Sequence, residues 1–137
     1  MAAVKIAIVE DDLAIAQMYR MKFEVEGFEV ETAENGVLGF ELLEKMRPDI
    51  VLLDLMMPEM NGEEVLEKVR STDWGKELKV VILTNLSEQE APNRLKELGV
   101  TRYIVKAEMT PKQVAELVQQ ELGQPKTESD KTNNNPS

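Results

Sequence analysis

The chain of 137 residues contains no cysteine and no histidine. These absences exclude disulfides, Cys/His zinc sites, cysteine nucleophiles and any histidine-based triad. They also mean that the chain cannot carry a phosphohistidine of its own. No apolar run nears the roughly 18 residues that a membrane-spanning helix needs. Met1 to Val9 lacks a basic stretch leading into a long apolar core, so no signal peptide is expected and the expected location is the cytoplasm. Cationic residues are in deficit, with 16 Lys and Arg against 26 Asp and Glu and a net charge of −10. That balance argues against nucleic acid or an anionic membrane as a direct partner, and is compatible with cations or basic protein surfaces.

What is present is an ordinary globular mix, 42% hydrophobic and 31% charged. The length suits one domain with a real core. Residues 1–123 read as that domain. Residues 124–137 carry no apolar residue beyond the prolines and read as a disordered polar tail.

Within residues 1–123, short apolar runs alternate with amphipathic segments. Strands are expected at Lys5–Val9, Phe28–Thr32, Ile50–Leu53, Lys79–Leu83 and Arg102–Val105. Helices are expected at Leu13–Glu26, Val37–Met46, Glu63–Arg70, Arg94–Leu98 and Pro111–Leu122. In the first helix the inward face is read as Ile15, Met18, Met21 or Lys22, and Val25. In the second it is Leu38, Leu42 and Leu43, in the third Val65, Leu66 and Val69, and in the last Val114, Leu117 and Val118. Thr110 is the expected cap of the last helix. Pro92 suits the first turn of the fourth, and is expected to shorten it. The eight methionines read as core filler, and Trp74 as a loop residue in a surface groove. Five β-α units in strict alternation imply an α/β fold, a doubly wound parallel sheet covered on both faces.

In such a sheet, ligands bind beyond the carboxyl ends of the strands. The stretch I-V-L-L-D-L-M-M-P-E-M-N-G at 50–62 drives four apolar residues into one carboxylate, Asp54. The first strand ends at Glu10, Asp11 and Asp12, the fourth at Thr84 and the fifth at Lys106. Carboxylates gathered together raise one another's pKa unless a cation sits among them. With oxygen ligands only, Mg²⁺ is the simplest cation, and it favours a phosphate-bearing ligand. A lysine and a hydroxyl opposite it would stabilise phosphoryl oxygens, and a carboxylate can itself be the nucleophile. Each residue also has a plain structural reading. Asp12 takes one, as an acid at a helix start. Pro58 and Gly62 shape the loop.

The motifs V-E-D-D, D-L-M-M-P-E-M-N-G, L-T-N and Y-I-V-K, each at the end of its own strand, resemble the receiver domain of bacterial two-component response regulators. The resemblance covers roughly residues 4 to 122. It implies a five-stranded flavodoxin-like (βα)5 fold with strand order 2-1-3-4-5. It implies that Asp54 is the phosphoacceptor, that Asp11 holds Mg²⁺ directly, that Glu10 acts through water, and that the Met56 carbonyl is a further ligand. Lys106 and Thr84 would each take a phosphoryl oxygen, and Tyr103 would be the aromatic switch. The implied phosphodonor is a histidine kinase or histidine phosphotransfer protein. Output would pass through the surface around the fourth helix, fifth strand and fifth helix to a downstream protein partner, with a homodimer on phosphorylation as another outcome. The chain would be no enzyme beyond catalysing its own phosphorylation and dephosphorylation.

The chain departs from that pattern in places. Ala107 follows Lys106 where the family usually has proline, so a trans bond or local strain is expected. Asn85 follows Thr84 where a small residue is usual, and could narrow access to Asp54 or donate to the phosphoryl group. Met56 and Leu86 flank the path of the hydrolytic water, and both are apolar, which predicts slow self-dephosphorylation. Two readings compete with the phosphoacceptor. One is a pseudo-receiver scaffold that never takes phosphate. The other is a Mg²⁺-dependent aspartyl-phosphate phosphatase, against which Met56 weighs because such enzymes need a second acid there.

Overall fold

The computed structural model describes residues 3–123; the tail expected at 124–137 lies outside the described residues. Five strands form one sheet: β1 (Lys5–Val9), β2 (Glu29–Ala33), β3 (Ile50–Leu53), β4 (Lys79–Thr84) and β5 (Arg102–Val105). All pairings are parallel, in the order β2-β1-β3-β4-β5. Five helices connect and follow them: α1 (Leu13–Val25), α2 (Gly36–Met46), α3 (Gly62–Arg70), α4 (Arg94–Glu97) and α5 (Pro111–Glu121). The doubly wound α/β architecture and the strand order therefore stand as expected from the sequence. None of the described helices is long and apolar enough to cross a membrane.

Strand side chains alternate between the two faces of the sheet. Ile6, Ile8, Ile50, Leu52, Val81 and Leu83 pack on one face with residues of α1 and α5. Ala7, Val9, Val51, Leu53, Val80 and Ile82 pack on the other with residues of α2, α3 and α4. Because both faces are covered, every residue of β3 is buried. Side-chain caps start the helices: Asp12 for α1, Asn35 for α2, Asn61 for α3 and Thr110 for α5. Asp12 thus has the structural role assigned to it above.

The inward faces of two helices differ from expectation. On α1 the buried residues are Ala16, Tyr19 and Phe23, whereas Met18, Met21 and Val25 are exposed. Two apolar stripes compete on this helix, and the aromatic one wins. The Phe23 ring meets Tyr19 at 6.4 Å and Phe28 at 5.9 Å between centroids, burying more area than the methionine stripe could. On α2 the buried residues are Gly36, Gly39 and Leu43, Leu42 is partly buried, and Leu38 is exposed. A Cβ at Gly39 would lie 2.6 Å from Val9 Cγ1, so the helix approaches the sheet more closely than a larger side chain permits. On α5, Ala115 is buried with Val114 and Val118, and Leu117 is only partly buried. Of the described methionines, Met46, Met57, Met60 and Met109 are partly buried against the core, as the core-filler reading has it, whereas Met18, Met21 and Met56 are exposed.

The fourth helix is a single turn. Between Thr84 and Asn93 the chain makes one 3₁₀ turn at Glu88–Glu90 and then extends at Ala91 (φ −70°, ψ 150°). Pro92 disfavours helical backbone at the preceding residue, so α4 starts only beyond it. Trp74 lies in the α3–β4 loop, partly buried against Phe40 at 5.9 Å between ring centroids, with the Arg47 guanidinium 4.9 Å from its ring.

Candidate functional site

Among the described residues, three polar or charged side chains are buried: Glu10, Asp54 and Thr84. All three sit at or just past the carboxyl end of a strand. The parallel ladder carries on by one step beyond β1 and β3, with the Glu10 amide donating to Ala33 O at 2.9 Å and the Asp54 amide to Val9 O at 3.0 Å. This step aligns the two carboxylates on adjacent strands.

Asp54 is 5% exposed. Its Oδ1 accepts from the Met56 amide at 3.1 Å, and its Oδ2 accepts from Lys106 Nζ at 3.2 Å. Glu10 Oε2 accepts from the Asp12 amide at 3.0 Å. Its Oε1 lies 2.5 Å from Lys106 Nζ. That approach is a close, buried ion pair. One ammonium therefore faces two buried carboxylates. Burial pushes the Glu10 pKa up; Lys106 and the Asp12 amide oppose this, while the Asp54 charge adds to it. Burial alone would lower the Lys106 pKa, but Glu10 and Asp54 outweigh it and the net direction is upward.

Asp11 is exposed beside this pair, and Glu10, Asp11 and Asp54 each offer a carboxylate oxygen within 4.8 Å of the others. Three hard oxygen ligands, one of them on an exposed residue, make a good fit for a hard divalent cation. Met56 turns its side chain outward (60% exposed) while its amide serves Asp54. Thr84 is fully buried, and its Oγ1 accepts from the Leu86 amide at 3.4 Å. Tyr103 is partly buried; its hydroxyl donates to Leu86 O at 2.7 Å, with Ser87 O at 3.2 Å beside it. Asn85 is exposed and Leu86 partly buried. The bond after Lys106 is trans, and Ala107 lies exposed in a 3₁₀ turn at Lys106–Glu108.

The loop after β3 has its own constraints. Glu59 has φ 70°, and the Met60 amide donates to Pro58 O at 2.8 Å. A Cβ at Gly62 would lie 2.3 Å from the Asp54 carbonyl oxygen, so only glycine lets the first turn of α3 sit against the acceptor's backbone. The structure thus brings together Glu10, Asp11, Asp54 and Lys106, with Met56 bonded to Asp54. Thr84 at the end of β4 and Tyr103 in β5 both bond to the β4–α4 loop at Leu86. The sequence reading missed the Glu10–Lys106 contact. Glu10 follows β1 and Lys106 follows β5, three places apart in the sheet, and no sequence spacing shows such a crossing. The burial of Glu10 reveals the contact only once the sheet is assembled.

The family model described as response regulator receiver domain matches residues 6–119. The probable transcriptional regulatory protein SilR of Salmonella typhimurium is 37% identical over 102 residues, 74% of this chain and 44% of that protein. The chain therefore spans less than half the length of that relative. Sporulation initiation phosphotransferase F of Bacillus subtilis is 34% identical over 102 residues, 74% of this chain and 81% of that protein. The structure of chemotaxis protein CheY4 of Vibrio cholerae has a TM-score of 0.80 and 30% sequence identity, covering 87% of this chain and 98% of that one.

Proposed function

We propose, from the premise that this chain belongs to the response regulator receiver domain family, that Asp54 accepts a phosphoryl group from a protein phosphohistidine. Receiver domains are signalling domains rather than classical enzymes. The observation that carries the reading is the buried Asp54–Lys106–Glu10 cluster at the rim of the sheet. Burying two carboxylates around one lysine is costly, and a structural role alone does not call for it.

In the reaction, an Asp54 carboxylate oxygen forms a bond to phosphorus as the donor's P–N bond breaks. The bonding pair leaves with the donor imidazole. Asp54 meets this step already oriented by the Met56 amide. Glu10, Asp11, Asp54 and the Met56 carbonyl would hold Mg²⁺, which supplies neutralisation of phosphoryl charge when bound. Lys106 would move its ammonium from the carboxylate oxygen to a phosphoryl oxygen. Thr84 would donate its hydroxyl hydrogen to another, which it can do while its oxygen still accepts from the Leu86 amide. A move of Thr84 toward the phosphoryl group would draw the Leu86–Ser87 backbone through that bond, and with it the carbonyls that hold Tyr103. Output would pass to a downstream protein through the surface of α4, β5 and α5. Met56 and Leu86 offer no hydrogen-bonding side chain to a hydrolytic water, which supports a long-lived phosphoryl group.

Leu13 and Met56, close in sequence to Asp11 and Asp54, are exposed, and α1 exposes Met18, Met21 and Val25 as well. That supports a protein rather than a small molecule as the natural donor, whether a histidine kinase or a histidine phosphotransfer protein. The test is intact mass after incubation with acetyl phosphate and Mg²⁺. The parent gains one phosphoryl group, and neither the metal-free sample nor Asp54→Asn does. An unmodified parent that also fails to bind beryllofluoride would overturn the proposal in favour of a scaffold.

A further inference from the structure

The segment Asn85–Gly99 has little of its own to hold it. Its only α-helix, α4, is four residues long and buries only Leu95. A single helical turn is not stable alone in water. Tyr103 holds the start of the segment through Leu86 O and Ser87 O. The far end is held from α3, by two residues one turn apart.

Glu67 reaches the first residue of α4, with Arg94 Nη1 donating to its Oε2 at 2.6 Å. Arg70 reaches the end of α4. Its Nε donates to Leu98 O at 2.6 Å and its Nη2 to Gly99 O at 3.0 Å, while its Nη1 donates to Gly75 O at 2.7 Å in the α3–β4 loop. Gly99 has φ 76°, the left-handed conformation that ends a helix, and the Leu98 and Gly99 amides donate back to Arg94 O at 3.0 Å and Lys96 O at 3.3 Å. The Arg70 guanidinium thus holds the two residues that follow α4, Leu98 and Gly99, by their carbonyls with its planar fork of donors. All three of its recorded bonds go to backbone oxygen rather than to a carboxylate.

At its other end, α3 is seated on the acceptor. The Gly62 amide donates to Leu55 O at 3.0 Å, and the Gly62 position has no room for a side chain beside the Asp54 carbonyl. The capping box of Asn61 and Glu64 fixes that first turn. A nine-residue helix then spans roughly 13 Å as one rigid element.

We infer that Glu67 and Arg70 form a two-point clip that positions α4 on α3, giving the acceptor strand a mechanical connection to α4 separate from Thr84 and Tyr103. The clip itself needs only the contacts above; its role in signalling rests on the phosphoacceptor reading. Arg70 carries more of the seat than Glu67. The Glu67–Arg94 pair is about half exposed on both sides (49% each), where ion pairs contribute little. Arg70 is partly buried, and its loss releases three backbone carbonyls at once, those of Leu98 and Gly75 part-buried.

The experiment is amide hydrogen exchange on the full chain, read over residues 94–99 and compared with the sheet. In Arg70→Gln, exchange over 94–99 rises roughly ten- to a hundredfold while β1 and β3 keep their protection. Arg70→Lys does not restore protection, because one ammonium cannot reach three carbonyls in different directions. Glu67→Arg gives a smaller rise, which Arg94→Glu in the same chain reverses. Unchanged exchange over 94–99 in Arg70→Gln, or full rescue by lysine, would overturn the clip.

A second arm adds beryllofluoride and Mg²⁺. The parent changes its exchange over 94–99 on binding, and Arg70→Gln loses most of that change while still binding. An equal change in both proteins would overturn the connection to the acceptor. A parent that binds no beryllofluoride would contradict the phosphoacceptor reading and the signalling role, while the ligand-free exchange would still decide the clip.

Discussion

The two ends of the sheet treat charge in opposite ways. At the amino ends, Lys5, Glu29, Lys79 and Arg102 open four of the five strands, and none of them is buried. Their partners lie at the end of α5, nearer to solvent: Arg102 meets Glu121 at 2.5 Å with the arginine 48% exposed, and Lys79 donates to the Glu121 carbonyl. At the carboxyl ends, Glu10, Asp54 and Thr84 are buried, and Lys106 is only 13% exposed between the two carboxylates. Charge at the amino ends finishes strands at little cost. Charge at the carboxyl ends is held in a state that water would relax, and that is the physical mark of a site rather than a boundary.

The largest expected effect is on stability in the presence of a chelator. Lys106→Met leaves two buried carboxylates unpaired and costs about 3–5 kcal/mol. Arg102→Met breaks an exposed pair and costs less than about 1 kcal/mol. Urea unfolding of the two variants checks the contrast, and equal losses would erase it. Adding Glu10→Gln to Lys106→Met recovers part of the loss, because one of the stranded charges is gone.

A smaller effect lies in the pH dependence. Lys106 has a raised pKa, so its contribution is complete below the ordinary lysine value and is lost only as pH climbs through the higher folded value. The gap between parent and Lys106→Met is therefore level at neutral pH and closes in strong alkali. Glu10 acts in the other direction. Its raised pKa means that the native state holds its proton longer than the unfolded chain, so stability falls as pH rises through that window. Removing Lys106 takes away a lowering influence and widens the window upward. Lys106→Met therefore regains more stability than the parent on mild acidification, whereas Arg102→Met follows the parent. Unfolding curves over a pH series in chelator report both trends.

Much of this contrast was legible before any coordinates. The apolar runs of β1, β3 and β4 end abruptly on polar residues, and their order along the chain put Glu10, Asp54 and Thr84 on one rim. Burial, however, is a three-dimensional property. The α1 periodicity fits two faces, and the choice between Met18–Met21–Val25 and Ala16–Tyr19–Phe23 is made by packing against Phe28, which lies outside the helix. On α2 the inward face is set by what two glycines permit rather than by the leucines that the eye follows. Pro92 correctly marked a short fourth helix, but Arg70 gave no sign that it would hold the end of that helix from 28 residues away. Likewise, Lys106 was read as a phosphate ligand from its position after β5, and its contact with Glu10 emerged only with the sheet assembled.

The central claim is that the carboxyl ends of the strands form one metal-assisted phosphoryl site, whereas the amino ends are finished edges. The direct measurement is a backbone amide NMR titration of the full chain with Mg²⁺, followed by beryllofluoride. The account predicts that Mg²⁺ shifts amides at 10–12 and 54–57, that beryllofluoride extends the shifts to 84–87 and 106, and that the amides opening β1, β2, β4 and β5 stay still. Absence of shifts at 10–12 and 54–57, or shifts of equal size at both ends of the sheet, would contradict it.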